Sequence, residues 1–363
     1  MDEIDAEVLL SMMDHDHPPS IIDVRNPDEF EAWSIEGAIN IPLDELEGRV
    51  DEVPDGVLVT VCARGQRAQR AAQMLSDHQR DALVLAGGME AWGRAYDDVA
   101  FHIGAVVVVQ VRRRGKGCLS YLVGGRDRCV VIDPSLDIER YVAIAHARHL
   151  EITTVLDTHL HADHLSGAQL LAETTGAALV ASPHDPRQLV TDPVIDGMTL
   201  ELGASDGRNL TVIGTPGHTR GSVTLALGEQ VLFTGDTLFI ESVGRPDLAD
   251  KAVEFAADLY RSLHESILRF PDDALVLPAH VSSQVPITAG AVVGVTLGEL
   301  HRSVAALAMD ESSFVSWAST QAAPRPPNYE RIVALNMAGD RVADDERGEL
   351  ELGPNRCAVD STD

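Results

Sequence analysis

Thr158-His159-Leu160-His161-Ala162-Asp163-His164 places three histidines and an aspartate within six positions. Imidazole and carboxylate are the donors that first-row metals prefer, so the stretch reads as part of a metal site. Three more donors follow, each just after an apolar run: His218 in Thr215-Pro216-Gly217-His218, Asp236 in Thr234-Gly235-Asp236, and His280 in Pro278-Ala279-His280. A second chemistry is carried by Cys62-Ala63-Arg64-Gly65-Gln66-Arg67. Successive N–H groups in a tight loop, a helix N-terminus behind it, and the cations of Arg64 and Arg67 all favour thiolate over thiol. Cys62 is therefore a candidate nucleophile.

The elements that must aim these residues are strands. Residues 152–156 are β-branched and apolar and read as a buried strand, with a short helix expected over 165–175. Runs at 210–213, 231–233 and 274–277 lead to the other three donors, so four strand ends present seven ligand-type side chains. Upstream, 105–111, 119–123 and 129–132 read as strands, Asp133-Pro134-Ser135 as a turn, and a helix follows to 149. Residues 20–92 alternate strand and helix signals, as a small parallel α/β domain does. In it, residues 56–61 form an apolar strand that feeds Cys62, and an Ala-rich helix follows the loop. Residues 93–100 read as a polar linker, 294–309 as a helix, and 326–332 as the start of a Pro-initiated closing helix. From Met337 onward there are eight acidic and three basic residues with little apolar content, which predicts a partly mobile tail. The expected domains are thus 1–98, 99–336 and the acidic tail 337–363.

Composition narrows the function classes. Net charge is -29, with 28 basic and 57 acidic residues, and only Lys116 and Lys251 are lysines. Such a polyanion repels nucleic acid. The pattern is what a high-salt cytoplasm would favour, so a halophilic source is expected. The basic run at 112–116 lies between two strands and reads as a hairpin turn. There is no run of eighteen apolar residues and no basic-then-apolar leader, so neither a membrane span nor a secretion signal is expected and the default location is cytoplasmic. None of Cys62, Cys118, Cys129 and Cys357 forms a CxxC pair, and Cys118 and Cys129 read as core residues. The nine histidines outside the cluster show no ligand context.

Four residues separate Cys62 from Arg67, one fewer than in the anion loop of cysteine-dependent phosphatases, which suits a sulfur atom rather than a phosphate. With Asp23-Val24-Arg25, Glu36-Gly37-Ala38-Ile39-Asn40-Ile41-Pro42 and Gly87-Gly88-Met89-Glu90-Ala91-Trp92, the first domain resembles the rhodanese family. That resemblance implies a persulfide on Cys62, held by the loop amides and Arg67. The second domain resembles the metallo-β-lactamase superfamily, which implies an αββα sandwich with a metal site at one edge. In two-metal members, residues matching His159, His161 and His218 hold one ion, those matching Asp163, His164 and His280 the other, and Asp236 bridges. The segment from Thr237 to Leu248, with Gly244-Arg245-Pro246-Asp247, and the segment Gly117-Cys118-Leu119-Ser120-Tyr121 are similar to the persulfide dioxygenase branch.

In that branch, His159, His218 and Asp236 alone would hold a single Fe(II), leaving His161, Asp163, His164 and His280 as a supporting shell. The implied reaction is oxidation of a low-molecular-weight thiol persulfide by O₂ to sulfite and thiol, with Cys62 passing sulfane sulfur to or from a donor or acceptor. Arg245 is a candidate contact for a substrate carboxylate, or else the partner of Asp247. The tyrosine that glutathione-linked members carry shortly after the last ligand is missing from Val281-Ser282-Ser283-Gln284, so the thiol carrier stays open. The alternative is a glyoxalase II-like thioesterase (hydroxyacylglutathione hydrolase type), with two Zn ions on all seven ligands. A sulfur-delivery module with an idle metal domain is a third reading. A homodimer is compatible with the sequence.

Overall fold

The computed structural model describes residues 2–351 and 353, apart from 190, 247–250, 283–284 and 321–327. The chain divides into two compact units, one formed mainly by residues up to Asp97 and the other mainly by Asp98–Arg112 and Gly117–Glu351.

The first unit is built from β1 (Glu3–Ile4), α1 (Ala6–Met13), β2 (Ser20–Asp23), α2 (Pro27–Ala32), β3 (Ile39–Asn40), β4 (Leu58–Val61), α3 (Gln66–Asp77), β5 (Ala82–Leu85) and α4 (Gly88–Trp92). The strands form one parallel sheet in the order β1-β5-β4-β2-β3. Alternate residues point to opposite faces. Ile21, Val59, Val61 and Leu85 enter one core with α1 and α4, while Ile22, Leu58 and Val84 enter the other with α3. Both faces are covered, which explains why the strands read as continuous apolar runs. Behind β2, the Arg25 guanidinium is buried and donates to Asp23 Oδ2 and to the Trp33 carbonyl, each at 2.6 Å, tying the end of β2 to the residue that follows α2.

The second unit continues with β6 (Tyr96–Ile103), β7 (Val106–Arg113), β8 (Cys118–Gly124), β9 (Arg128–Ile132), α5 (Ile138–Ala147), β10 (Glu151–Leu156), α6 (Ala168–Thr175), β11 (Ala178–Ala181), β12 (Asp192–Pro193), β13 (Thr199–Leu200), β14 (Leu210–Gly214), β15 (Val223–Leu227), β16 (Val231–Gly235), α7 (Ala252–Arg261), β17 (Leu275–Pro278), β18 (Val295–Thr296), α8 (Leu297–Ser303), α9 (Glu311–Thr320), α10 (Tyr329–Ala338) and α11 (Asp344–Leu350). One sheet runs β12-β11-β10-β9-β8-β7-β6 and the other β13-β14-β15-β16-β17-β18. Their inner faces share a core that includes Val108, Leu119, Val130 and Leu156 from the first and Val212, Leu225, Phe233 and Leu277 from the second. The intervening residues Ala226, Leu232 and Val276 face outward, against α7, α8 and α9. Helices α5 and α6 pack on β10. The result is an αββα sandwich.

Two expectations are corrected, and a third is narrowed. Residues 93–100 are not a polar linker: β6 begins at Tyr96, and its alternating half-buried residues Val99, Phe101 and Ile103 were masked by the acidic pair Asp97-Asp98. The helix expected over 294–309 is broken. Thr296 caps α8 by accepting from Glu299 N at 3.4 Å, and Val304 then turns extended before a short 3₁₀ turn. The acidic tail is packed as far as it is described. Leu350 and Glu351 are buried, and the Arg347 guanidinium donates to Asp137 at 2.6 and 3.0 Å. Among the described residues, no helix is long and apolar enough to cross a membrane. Pro326 and Pro327 of the expected closing helix, Asp247 and Leu248, Ser283 and Gln284, and Cys357 with the end of the tail lie outside the described residues.

Candidate metal centre and cysteine loop

Strand β10 ends at Leu156, and the loop behind it carries Asp157 to His164, all buried. Strand β14 leads to His218, β16 to Asp236 and β17 to His280, also buried. Each donor thus sits where its strand leaves the sheet, at one edge of the sandwich. Gly244 closes over them. A Cβ at that position would collide with the Asp236 carbonyl and crowd the His218 side chain.

Hydrogen bonds set the tautomers of two histidines. His218 Nδ1 lies 3.0 Å from the Arg245 carbonyl, which can only accept, so Nδ1 carries the proton and Nε2 the lone pair. Thr158 Oγ1 donates to Asp133 Oδ2 at 2.9 Å, so its lone pair accepts from His159 Nδ1, also at 2.9 Å. His159 Nε2 is therefore a lone pair too. Both Nε2 atoms lie 3.5 Å from Asp236 Oδ2. Burial pushes both imidazoles below their ordinary value, and His161 beside His159 adds to the effect there, so both stay neutral. Burial pushes the Asp236 carboxyl up, but His280 and His159 outweigh it and hold it below the usual carboxylate range. Two neutral lone pairs and one carboxylate oxygen converge with no hydrogen-bond partner among them. Buried acceptors do not face one another without a proton or a cation between them. The three residues therefore fit a metal ion.

The other four expected ligands lie alongside and are largely bonded to one another. His280 Nδ1 lies 2.6 Å from Asp236 Oδ1 and its Nε2 lies 3.0 Å from Asp163 Oδ2. Burial opposes protonation of His280, but the two carboxylates prevail and raise its pKa well above the ordinary value. His164 Nδ1 faces Asp163 Oδ1 at 3.0 Å, and His161 Nε2 faces Asp133 Oδ1 at 3.2 Å, with its Nδ1 unpartnered. Asp163, His164 and His280 also form a group with donor atoms close enough for a second ion, and Cys118 joins them. Cys118 is thus more than the core residue expected. Leu119 N donates to Ala279 O at 2.7 Å and Val281 N to Gly117 O at 2.9 Å, which sets Cys118 opposite His280, and its Sγ lies 4.0 Å from Asp163 Oδ2.

Sequence reasoning also missed Asp133, Asp157 and Arg187. Asp133 has φ +52°, a conformation that costs a non-glycine residue about 1–3 kcal/mol. In that pose its carboxylate accepts from Thr158 N at 2.6 Å as well as from Thr158 Oγ1. Asp157 accepts from Ser166 Oγ and from Arg187 Nη1, at 2.8 and 2.9 Å. An aspartate directly before the histidine cluster, and another in the turn after β9, were the available signals. Arg245 is buried, and its carbonyl holds His218.

In the first unit, Cys62 leaves β4 and is buried. Gly65 N and Ala68 N donate to its Sγ at 3.1 and 3.3 Å. Gly88, at φ +58°, packs so closely that a Cβ there would collide with the Cys62 carbonyl, which accepts from Met89 N at 2.8 Å. The arginines are committed to carboxylates. Arg67 makes a two-pronged pair with Glu29 at 2.7 and 2.8 Å, and Arg64 Nε donates to Glu90 at 3.1 Å. The hydrogen bond from Arg67 holds Glu29 below its ordinary value. The amides therefore reach the sulfur directly, while Arg67 acts as a nearby charge.

Cys129 behaves as the core thiol expected. Burial pushes it up to about 12. Because alkylation needs the thiolate, iodoacetamide at mildly alkaline pH should leave Cys129 unmodified in the folded protein and modify it after unfolding. Peptide mass spectrometry checks this, and rapid labelling in the native state would contradict it.

The sandwich with a histidine–carboxylate cluster at its strand ends defines a metalloenzyme of the metallo-β-lactamase type. The family description "Metallo-beta-lactamase superfamily" matches residues 113–280, and "Rhodanese-like domain" matches 5–95. The mitochondrial persulfide dioxygenase ETHE1 of Bos taurus is 30% identical over 240 residues, covering 64% of this chain and 89% of the relative. The crystal structure of ETHE1 from Myxococcus xanthus aligns with TM-score 0.57 and 28% identity, over 64% of this chain and 98% of that one. A metallo-β-lactamase structure from Staphylococcus aureus aligns with TM-score 0.60 and 26% identity, over 66% and 75%. The chain belongs to the persulfide dioxygenase branch of the metallo-β-lactamase superfamily, fused to an N-terminal rhodanese-like domain.

Proposed function

We propose that the second domain, residues 99–336, oxidises a low-molecular-weight thiol persulfide, and that the first, residues 1–98, exchanges sulfane sulfur through Cys62. The balanced reaction is RSSH + O₂ + H₂O → RSH + SO₃²⁻ + 2H⁺. The sulfane sulfur loses four electrons, O₂ gains four, and water supplies the third oxygen of sulfite. The observation that carries this reading is the trio His159 Nε2, His218 Nε2 and Asp236 Oδ2, which converge without partners. Two imidazoles and one carboxylate are the donor set of non-haem iron oxygenases, and they leave positions open for substrate. Fe(II) bound there would supply the one-electron chemistry that ground-state O₂ requires. The chain's own residues do the rest. Thr158 and the Arg245 carbonyl hold the imidazoles in one tautomer. His280 occupies the second oxygen of Asp236, so that the carboxylate presents a single oxygen. Asp163 in turn orients His280.

At Cys62, the Gly65 and Ala68 amides donate to Sγ and so hold the attacking sulfur in place. The thiolate would attack the outer sulfur of a sulfane donor, forming a new S–S bond and releasing the donor as its anion. The reverse step would hand that sulfur to an acceptor. The relatives' family supports persulfide as substrate class, and the pairing of a sulfur-carrying cysteine with a metal site fits it better than hydrolysis.

The second reading is a two-zinc thioesterase. It is favoured by one observation, the group Cys118, Asp163, His164 and His280 beside the first trio. Metal analysis separates the two. Protein purified without oxygen should carry close to one iron per chain and consume O₂ when given a persulfide. Two zinc ions per chain with no O₂ consumption would sink the dioxygenase reading.

A further inference from the structure

Asn336 lies on α10, buried, more than 170 residues beyond the histidine cluster. Its Nδ2 donates to the carbonyls of His161 at 2.9 Å and His164 at 2.8 Å, and its Oδ1 accepts from Ser166 N at 3.0 Å. The two carbonyls can only accept and the amide N–H can only donate, so the orientation of the Asn336 amide is fixed. Glu351, at the end of α11, accepts from Leu165 N at 2.8 Å. Four backbone groups between His161 and Ser166 are therefore bonded by side chains of the C-terminal segment. The first half of the loop is held separately, with Arg187 donating to the His159 carbonyl at 3.1 Å.

The half that Asn336 holds carries Asp163. Asp163 contacts both His164 and His280, and His280 occupies Asp236 Oδ1. Only then is Asp236 Oδ2 left facing the two imidazole lone pairs. The aim of the carboxylate thus depends on the shape of the loop, through the ion pair of Asp163 with His280 and the hydrogen bond of His280 with Asp236. We propose that Asn336 is a positioning residue for the metal centre, fixing the 161–166 backbone so that Asp163, His280 and Asp236 are held in line. The proposal rests on the reading that His159, His218 and Asp236 hold a metal.

The test uses the full-length chain stripped of metal and titrated anaerobically with Fe(II) against a competing chelator. Asn336→Asp keeps the volume but sets a carboxylate oxygen against two carbonyls. Asn336→Ala removes all three bonds and serves if the first variant does not fold. Either should weaken Fe(II) binding about 10- to 100-fold, the range seen when groups that orient ligands are lost. Ile332→Val, which trims α10 where it packs with Leu165 but leaves the three Asn336 bonds in place, should lower the melting temperature of the apo protein and leave Fe(II) affinity within about threefold. Wild-type affinity in the Asn336 variants would overturn the proposal, since Asn336 would then only dock the helix. A loss in Ile332→Val equal to that in Asn336→Asp would overturn it on the same ground. A wild-type chain that binds no Fe(II) would overturn the metal reading and this proposal together.

Discussion

Asp236→Ala is expected to abolish persulfide-dependent O₂ consumption. Asp236 does two things at once. Its Oδ2 is the one anionic atom among the three converging donors, and its Oδ1 holds His280 at 2.6 Å. Alanine removes the anion and leaves His280, buried and held protonated between carboxylates, with Asp163 as its remaining carboxylate contact. Loss of a group that only orients a ligand costs about 10- to 100-fold in metal affinity or activity, so loss of a ligand itself should cost more than about 100-fold. An oxygen electrode with preformed persulfide measures the rate, and iron analysis shows whether the site has emptied. Uptake within about tenfold of wild type would mean that Asp236 is not in the reacting metal's donor set.

Cys62→Ser should separate the two activities. Serine is nearly the same size and can accept the same hydrogen bonds from Gly65 and Ala68, so the loop should keep its shape. A hydroxyl does not form a persulfide, so sulfur transfer from a sulfane donor to a thiol or sulfite acceptor should fall to background. Cys62 and the metal trio belong to different compact units, so O₂ uptake with preformed persulfide should stay within about twofold. Parallel assays of both reactions on one preparation decide the matter. Equal loss of both would refute the division of labour.

The residue types of the site were legible because the chemistry demands them. Histidine and aspartate at strand ends, and cysteine before a helix, stand out against apolar runs in any single sequence. The strands followed from the same runs, since both sheets of the sandwich are covered and their period is hidden but their apolarity is not. What stayed hidden depends on partners far along the chain. Cys118 reads as a core cysteine until the strand it begins is laid beside His280. Arg67 reads as a sulfur ligand until Glu29 is found to hold it, although Glu29 was visible as the third residue of a capped helix. The C-terminal segment has the composition of a mobile tail. Its few apolar residues, with Arg347 and Glu351, nevertheless suffice to dock it against the loop that holds the histidines. Composition averages over such a segment, while docking depends on a handful of its side chains.

The two imidazoles aimed at Asp236 differ in what guards them. His159 is oriented by the hydroxyl of Thr158, which a single base change can remove. His218 is oriented by the main-chain carbonyl of residue 245, which no substitution can delete. Mutational risk is therefore uneven across a nearly symmetric site. The bond to His218 comes from the backbone of position 245, which Gly244 keeps close. Substitution should accordingly release His159 at Thr158 or Asp133, whereas on the His218 side the sensitive position is Gly244.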